Sequence, residues 1–271
     1  MTTDVLLIEK KNLKVGTIEQ WTLNRPDKYN SLNSTVIKRL ETEGRRLQAE
    51  VSKNLLSVRA LVLTGSGEKA FAAGADIAEM DDFDRSQAIN FSKAGQAAFG
   101  RLEELPIPCI AAVNGFALGG GLELALCCDF IVSNSAGVFG QPESHLGLIP
   151  GFGATVRFVE RLGTQKGFEY LMSGKKIKAD EGVRLGLVDK LLPEGKNLID
   201  GTFDFIEELI SKAGPVSIAR MKKIIRAQKE KLYVEGLESE AKCFAEMFDT
   251  LDKEEGVTAF LEKRNPQFKG R

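Results

Sequence analysis

The chain opens with two alternating apolar and polar runs, Val5-Leu6-Leu7-Ile8-Glu9 and Val15-Gly16-Thr17-Ile18-Glu19-Gln20-Trp21-Thr22-Leu23. They read as two strands turned back at Lys11-Asn12. Asn24-Arg25-Pro26-Asp27 ends the second strand, and Ser34 is placed to cap a helix over 35–54. Val58 to Thr64 is β-rich and stops at Gly65-Ser66-Gly67, the pattern of a strand buried on both faces. Helical spacing covers about 86–104, and Pro106-Ile107-Pro108 restarts the chain as a strand over 109–113. Short strands are expected at 130–133 and 138–140, followed by a glycine-rich loop over 147–153. Helices at 154–162, 166–173 and 179–185 and a last strand at 188–192 complete this part.

The strand signal stops after Pro193-Glu194-Gly195. Segments 203–213, 215–227 and 236–263 carry only helical spacing, which predicts a mixed core over 1–195 and a helical region over 196–271. The recurring strand–strand–helix order hints at coiled repeats, without the self-similarity of a solenoid.

One position breaks the apolar pattern. Glu123 lies in Gly119-Gly120-Gly121-Leu122-Glu123-Leu124-Ala125-Leu126-Cys127-Cys128. An ionised carboxylate among leucines and cysteines is costly unless something pairs with it. The glycines before it let backbone approach a ligand and leave amide N–H groups free at a helix start. Together they mark a plausible place for proton chemistry.

Composition narrows the classes. A length of 271 residues fits one large domain, with or without a small appendage. The formal net charge of −1 argues against a nucleic-acid or membrane footprint over the whole chain. No apolar run approaches the ~20 residues that cross a bilayer, and Met1-Thr2-Thr3-Asp4 has no signal-like basic start. The expectation is a cytoplasmic protein. Cys109, Cys127, Cys128 and Cys243 lie in apolar surroundings without metal-ligand spacing, and read as reduced core thiols. His145 has no Gly-x-Ser-x-Gly partner and reads as structural. Gly65 to Ala70 lacks the Gly-Lys-Ser/Thr ending of a phosphate loop.

An ordered set of motifs resembles the crotonase family, the enoyl-CoA hydratase/isomerase superfamily. It comprises Leu23-Asn24-Arg25-Pro26-Asp27-Lys28-Tyr29-Asn30-Ser31-Leu32, Lys69 to Ile77, Ala112 to Leu124, Phe139-Gly140-Gln141-Pro142-Glu143, Gly147 to Gly151, and Phe260 to Phe268. The set spans essentially the whole chain. The resemblance implies an α/β fold, a spiral of ββα units with a helical C-terminal region that drives trimerisation, trimers often pairing into hexamers. It also implies an acyl-CoA thioester substrate and no metal or redox cofactor, CoA being part of the substrate. The fold alone hosts several reactions, so the site residues decide.

Thioester chemistry at the α and β carbons places charge on the carbonyl oxygen, which convergent backbone N–H groups stabilise well. Matched to the family, Ala75 and Gly120 supply those donors, and Gly120 begins a helix. Hydration also needs a base for water and an acid for the α carbon. Two glutamates among 38 acidic residues mean little alone, but Glu123 and Glu143 match the two catalytic glutamates of the hydratases. The resemblance assigns Glu123 to the water and Glu143 to the proton for the α carbon. Isomerase relatives generally use one carboxylate, at the Glu143 position, so the pair favours hydration. An isomerase, a specialised hydroxyacyl-CoA dehydratase or a non-catalytic acyl-CoA-binding scaffold are the alternatives.

By the same match, Ala73, Ala75, Asp76, Ile77 and Ala78 line the pantetheine path. Lys28, Phe260 and Lys263 are candidates for the nucleotide end of CoA. One departure stands out. Where most relatives read Ala-Gly-Gly-Thr-Gln-Arg, this chain has Phe152-Gly153-Ala154-Thr155-Val156-Arg157, which reshapes either the acyl pocket or a helix contact.

Overall fold

A computed structural model describes residues 4–227 and 230–270, so the Met1-Thr2-Thr3 start lies outside it. β1 (Leu6–Leu13) pairs antiparallel with β2 (Gly16–Leu23), with Leu6 opposite Leu23 and Leu13 opposite Gly16. The turn therefore falls at Lys14-Val15 and not at Lys11-Asn12. Asn12 belongs to the ladder, where its side chain accepts the Thr17 hydroxyl at 2.9 Å. A short 3-10 turn at Pro26–Lys28 leads into α1 (Ser34–Lys53). Its cap is Asn33 rather than Ser34: the Asn33 side chain accepts from Val36 N at 3.0 Å.

Three strand–strand–helix units follow. The first has β3 (Ala60–Gly65), β4 (Ala70–Ala72), α2 (Ile77–Met80) and α3 (Arg85–Glu103). The second has β5 (Cys109–Val113), β6 (Phe116–Leu118) and α4 (Gly120–Leu126). The third has β7 (Phe130–Ser133), β8 (Val138–Gly140), a 3-10 turn at Glu143–Leu146, α5 (Ala154–Leu162) and α6 (Thr164–Ser173). β9 (Ile177–Lys178), α7 (Ala179–Arg184) and β10 (Lys190–Leu191) close this part. Then come α8 (Leu198–Ile210), α9 (Pro215–Ala227), α10 (Glu230–Met247) and α11 (Leu251–Leu261).

Each unit adds its first strand to a sheet ordered β1-β2-β3-β5-β7-β10 and its second to a sheet ordered β4-β6-β8-β9. Pairing is parallel from β2 through β10 and from β4 through β8. Every turn of the chain thus winds past both sheets, which is the spiral expected of ββα units. The two- and three-residue strands β4, β6 and β9 are too short to carry a periodic signal, and the sequence shows none for them.

β3 is buried along its whole length, as its composition predicts. One face of the large sheet, with Ile18, Ala60, Val62, Ile110 and Val132, meets Leu198, Ile206 and Ile210 of α8. The other face packs Trp21, Leu61, Leu63 and Ile131 into the main core with α1 and α3. Cys109, Cys127 and Cys128 are buried free thiols, whereas Cys243 is exposed, contrary to expectation, on α10. Among the described residues, no helix is long and apolar enough to cross a membrane.

The helical end differs from the sequence expectation in two places. α8 begins at Leu198, five residues before the expected 203, because Asn197 caps it through Ile199 N and Asp200 N. The single helix expected over 236–263 is two helices. The Thr250 side chain accepts from Lys253 N at 3.1 Å and starts α11 afresh, a competition with the helical ladder that Ser and Thr offer at caps. α10 lies on α3 and α5, while α11 folds back onto the Glu143–Leu146 turn. That approach needs a glycine, since a Cβ on Gly256 would sit 2.4 Å from the Leu146 carbonyl carbon.

A buried ionic network ties these helices down. Arg157 of α5 donates from Nε (3.0 Å) and Nη2 (2.8 Å) to the two oxygens of Glu103 on α3, which also accept the Tyr233 hydroxyl from α10. Arg226 of α9 reaches both Glu103 and Asp129 at 3.4 Å. Opposed charges hold the Glu103 carboxyl below its ordinary range despite its burial. Arg157→Met leaves Glu103 buried without its main partner and is expected to cost about 3–5 kcal/mol of stability. Chemical denaturation reads this directly; a loss below ~1 kcal/mol would show that Arg226 and Tyr233 suffice.

Candidate active site

Glu123 lies in the first turn of α4 and is 1% exposed. Its Oε1 accepts from Phe152 N and Ala154 N, both at 2.8 Å, at the loop that opens α5. Among the described residues its Oε2 accepts no protein hydrogen bond, and the side chain lines a cavity of about 330 Å³. Burial, then the charges of Glu240 and Glu143, push the Glu123 carboxyl well above the ordinary range, while the two amides oppose this.

Glu143 opens the 3-10 turn after β8 and lines the same cavity. Burial, and then the charge of Glu240, push it up to about 8. The buried Gln141 carboxamide sits against it and, with its NH₂ turned toward Glu143, donates to both oxygens at 3.0 Å. Two carboxyl groups with elevated proton affinity therefore face one apolar cavity, where desolvation favours the neutral form of each.

The small-residue loop after β4 and the start of α4 meet across this cavity. A Cβ on Gly120 would lie 3.4 Å from Ala75 N, so the two backbone positions are neighbours. Gly119 has φ +50° and ψ −127°, a conformation essentially closed to residues with a Cβ, and a Cβ there would lie 2.7 Å from Glu143 Oε1. Gly119, Gly120, Ala75 and both glutamates thus border one space.

Of the residues expected along the substrate path, Ala73, Ala75, Ile77 and Phe260 line the cavity. Asp76, Ala78, Lys28 and Lys263 do not. Asp76 instead pairs with Arg25 at 2.8 Å, while Ala78, Lys28 and Lys263 are exposed. His145 is held outside the cavity, its Nε2 against Ser173 O at 2.9 Å. Phe152 is buried in the cavity wall, packed on Phe91 and Phe99 with ring centroids 5.2 and 5.4 Å away. Val156 makes a helix contact, its side chain 2.7 Å from where a Gly236 Cβ would be. The departure Phe152 thus shapes the pocket and Val156 the packing of α10. Sequence reading missed Gln141 beside Glu143, Lys176 and Phe244 in the cavity wall, and Glu240 behind the two glutamates. Gln141 lies two residues before Glu143, and its place in the Phe139–Glu143 motif was the available signal; the others carry none.

A ββα spiral with paired carboxyls and neighbouring loop and helix-start amides around an apolar cavity defines the class: a crotonase-fold protein with two buried carboxyl groups on one pocket. The chain belongs to the enoyl-CoA hydratase/isomerase family, whose model matches residues 14–271. It is 39% identical to the short-chain-enoyl-CoA hydratase of Clostridium acetobutylicum, over 95% of this chain and 97% of that protein. It is 38% identical to the crotonyl-CoA hydratase of Syntrophomonas wolfei, over 91% of this chain and 92% of that one. The crystal structure of an enoyl-CoA hydratase from Bacillus anthracis is similar at TM-score 0.76 and 32% identity, covering 99% of this chain and all of that one.

Proposed function

We propose that the chain is a 2-enoyl-CoA hydratase, adding water reversibly and syn across a trans-2-enoyl-CoA to give the 3-hydroxyacyl-CoA. The observation that carries this is the pairing of Glu123 and Glu143 on one cavity beside the amides of Ala75 and Gly120. The thioester oxygen lies between the Ala75 and Gly120 N–H groups, which take up its charge as the enolate forms. The ionised Glu123, with Oε1 anchored by two amides, offers Oε2 to the attacking water and takes its proton as the C–O bond forms. Glu143, protonated below about pH 8, delivers the proton to the α carbon. Dehydration runs through the same groups in reverse. No separate cofactor is needed, since CoA enters as part of the substrate.

Ala73, Ala75 and Ile77 take the pantetheine arm, with Asp76 and Ala78 in the same segment. Phe260 stands at the cavity, and Lys263 lies three residues beyond it. Lys28 neighbours Tyr29, which lines the cavity. Their nearness in the chain to Tyr29 and Phe260 supports assigning both lysines to the CoA phosphates. Self-association as a trimer or hexamer is supported by apolar side chains left exposed on α6 and α9, among them Phe168, Met172, Val216, Met221, Ile224 and Ile225. The buried free thiols suit a reducing compartment, the cytoplasm.

Incubation with crotonyl-CoA is expected to bleach the conjugated thioester absorbance as water adds. Absence of any loss with short, medium and cyclic enoyl thioesters would sink the proposal, and relative rates across that panel give the preferred acyl group. Faster turnover of a 3-enoyl thioester would point to isomerisation instead. Tight CoA binding without turnover of any thioester would point to a scaffold.

A further inference from the structure

A third carboxylate stands behind the pair. Glu240 of α10 is 3% exposed and is not part of the cavity wall. Its Oε2 accepts from Thr155 N at 2.9 Å and from the Thr155 hydroxyl, and its Oε1 accepts from Gln96 Nε2 of α3 at 3.3 Å. Thr155 N and Gln96 Nε2 can only donate to the carboxyl and so favour its anion, while the Thr155 hydroxyl can donate or accept. The amides that open α5 are therefore divided between two carboxylates. Phe152 N and Ala154 N serve Glu123, and Thr155 N, the next along the chain, serves Glu240.

We propose that Glu240 is a positioning residue for this site: it holds the first turn of α5 in the place that fixes Glu123, and in its ionised form it sets a negative charge behind the acid–base pair. The inference rests on the hydratase reading above. Other charged groups around Glu240 are accounted for. On α5, Arg157 is committed to Glu103 and to the Phe152 carbonyl, which it meets at 2.6 Å. On α3, Glu103 is taken by Arg157 and Tyr233, and Arg85 pairs with Glu246 and Asp249 further along the chain. Arg157 opposes the burial that pushes the Glu240 carboxyl up, as do the Thr155 and Gln96 bonds. On the cavity side, the titratable groups among the described lining residues are Glu123, Glu143, Lys176 and Tyr29; the Glu240 charge is the second cause raising Glu123 and also raises Glu143.

Glu240→Gln tests this, because the amide keeps an acceptor for Thr155 but removes the charge. Steady-state kinetics of the wild type and the variant on crotonyl-CoA are read from pH 5 to 10. KM is expected to stay within about twofold, kcat to fall roughly tenfold, and the alkaline limb of kcat to move down by about 0.5–1 unit, the size expected of a buried charge several Å away. Glu240→Asp, which keeps the charge, is expected to leave the limb where the wild type has it. An unmoved limb in Glu240→Gln overturns the inference, whatever happens to kcat. Should that variant fail to fold, Thr155→Val removes only the hydroxyl donor. A several-fold fall in kcat at constant KM then supports the role, and an unchanged kcat overturns it. Wild-type inactivity on every enoyl thioester sinks the hydratase reading and this inference with it. Wild-type turnover with unaltered variants sinks this inference alone.

Discussion

Glu143→Gln is expected to slow hydration of crotonyl-CoA by roughly 10²–10⁴-fold and at the same time to raise stability near neutral pH. The first effect follows from removing the proposed proton donor while leaving the cavity and its amides in place. The second follows from linkage. The Glu143 carboxyl sits at about 8 in the folded protein against an ordinary 4.5. Below pH 4.5 both folded and unfolded chains keep the proton, and its contribution to stability is fully present. Between 4.5 and 8 the unfolded chain releases a proton that the native state retains, so wild-type stability declines with rising pH and levels off above 8. A glutamine has no proton to lose, so the variant gains on the wild type across that window, by on the order of a few kcal/mol at its upper edge. Melting temperatures measured from pH 4 to 9 would show the two curves diverging. A variant that melts below the wild type throughout, or turns over within tenfold of it, would remove the assignment. Glu123→Gln is expected to lose activity to a similar extent with the fold intact, because the amide oxygen still accepts from Phe152 N and Ala154 N.

The second large effect is expected at a residue with no side chain. Gly119→Ala forces a Cβ into a backbone conformation at φ +50° and ψ −127°, where it also meets Glu143 Oε1 at 2.7 Å. The strain is worth about 1–3 kcal/mol, and the local relief available is a shift of the α4 start, which carries the Gly120 amide. Displacing one oxyanion donor typically lowers kcat by ~10²–10³. The expected result is a folded protein, several degrees less stable, with kcat reduced by that order. Gly100→Ala serves as the control. Nothing lies within 4 Å of its added Cβ in the last turn of α3, so turnover stays at the wild-type level and stability is unchanged or rises by up to about 1 kcal/mol. Wild-type turnover in Gly119→Ala would show that the α4 amide does not carry the charge.

The legible parts of this chain are those whose cause is local. β3 announces itself by a run that is buried end to end, and Glu123 by its lone charge among apolar neighbours. The loss of strand patterning after 195 coincides with the run of helices from α8 to α11. What stayed hidden depends on partners far away in the chain. Glu240 looks like any helical acid until Thr155 is placed against it, and Phe244 becomes part of the cavity only because α10 crosses α3 and α5. β4 and β6 frame the site with three residues apiece, held by sheet neighbours rather than by their own composition. The break before α11 was written in Thr250, but a cap signal within a long helical pattern reads as such only once the chain is seen to turn there.

The close seating of α11 on the Glu143 turn, through Gly256, has a consequence for biosynthesis. Both glutamates, the Ala75 and Gly120 amides and every strand except β9 and β10 belong to residues made before 155, yet Phe244 and Phe260 of the cavity wall and Glu240 belong to α10 and α11. A nascent chain that has not yet made α10 and α11 holds both carboxyls without Phe244, Phe260 or Glu240 beside them. A nascent chain can therefore order most of its spiral before the cavity is walled, and the wall is completed only once α10 and α11 have been made.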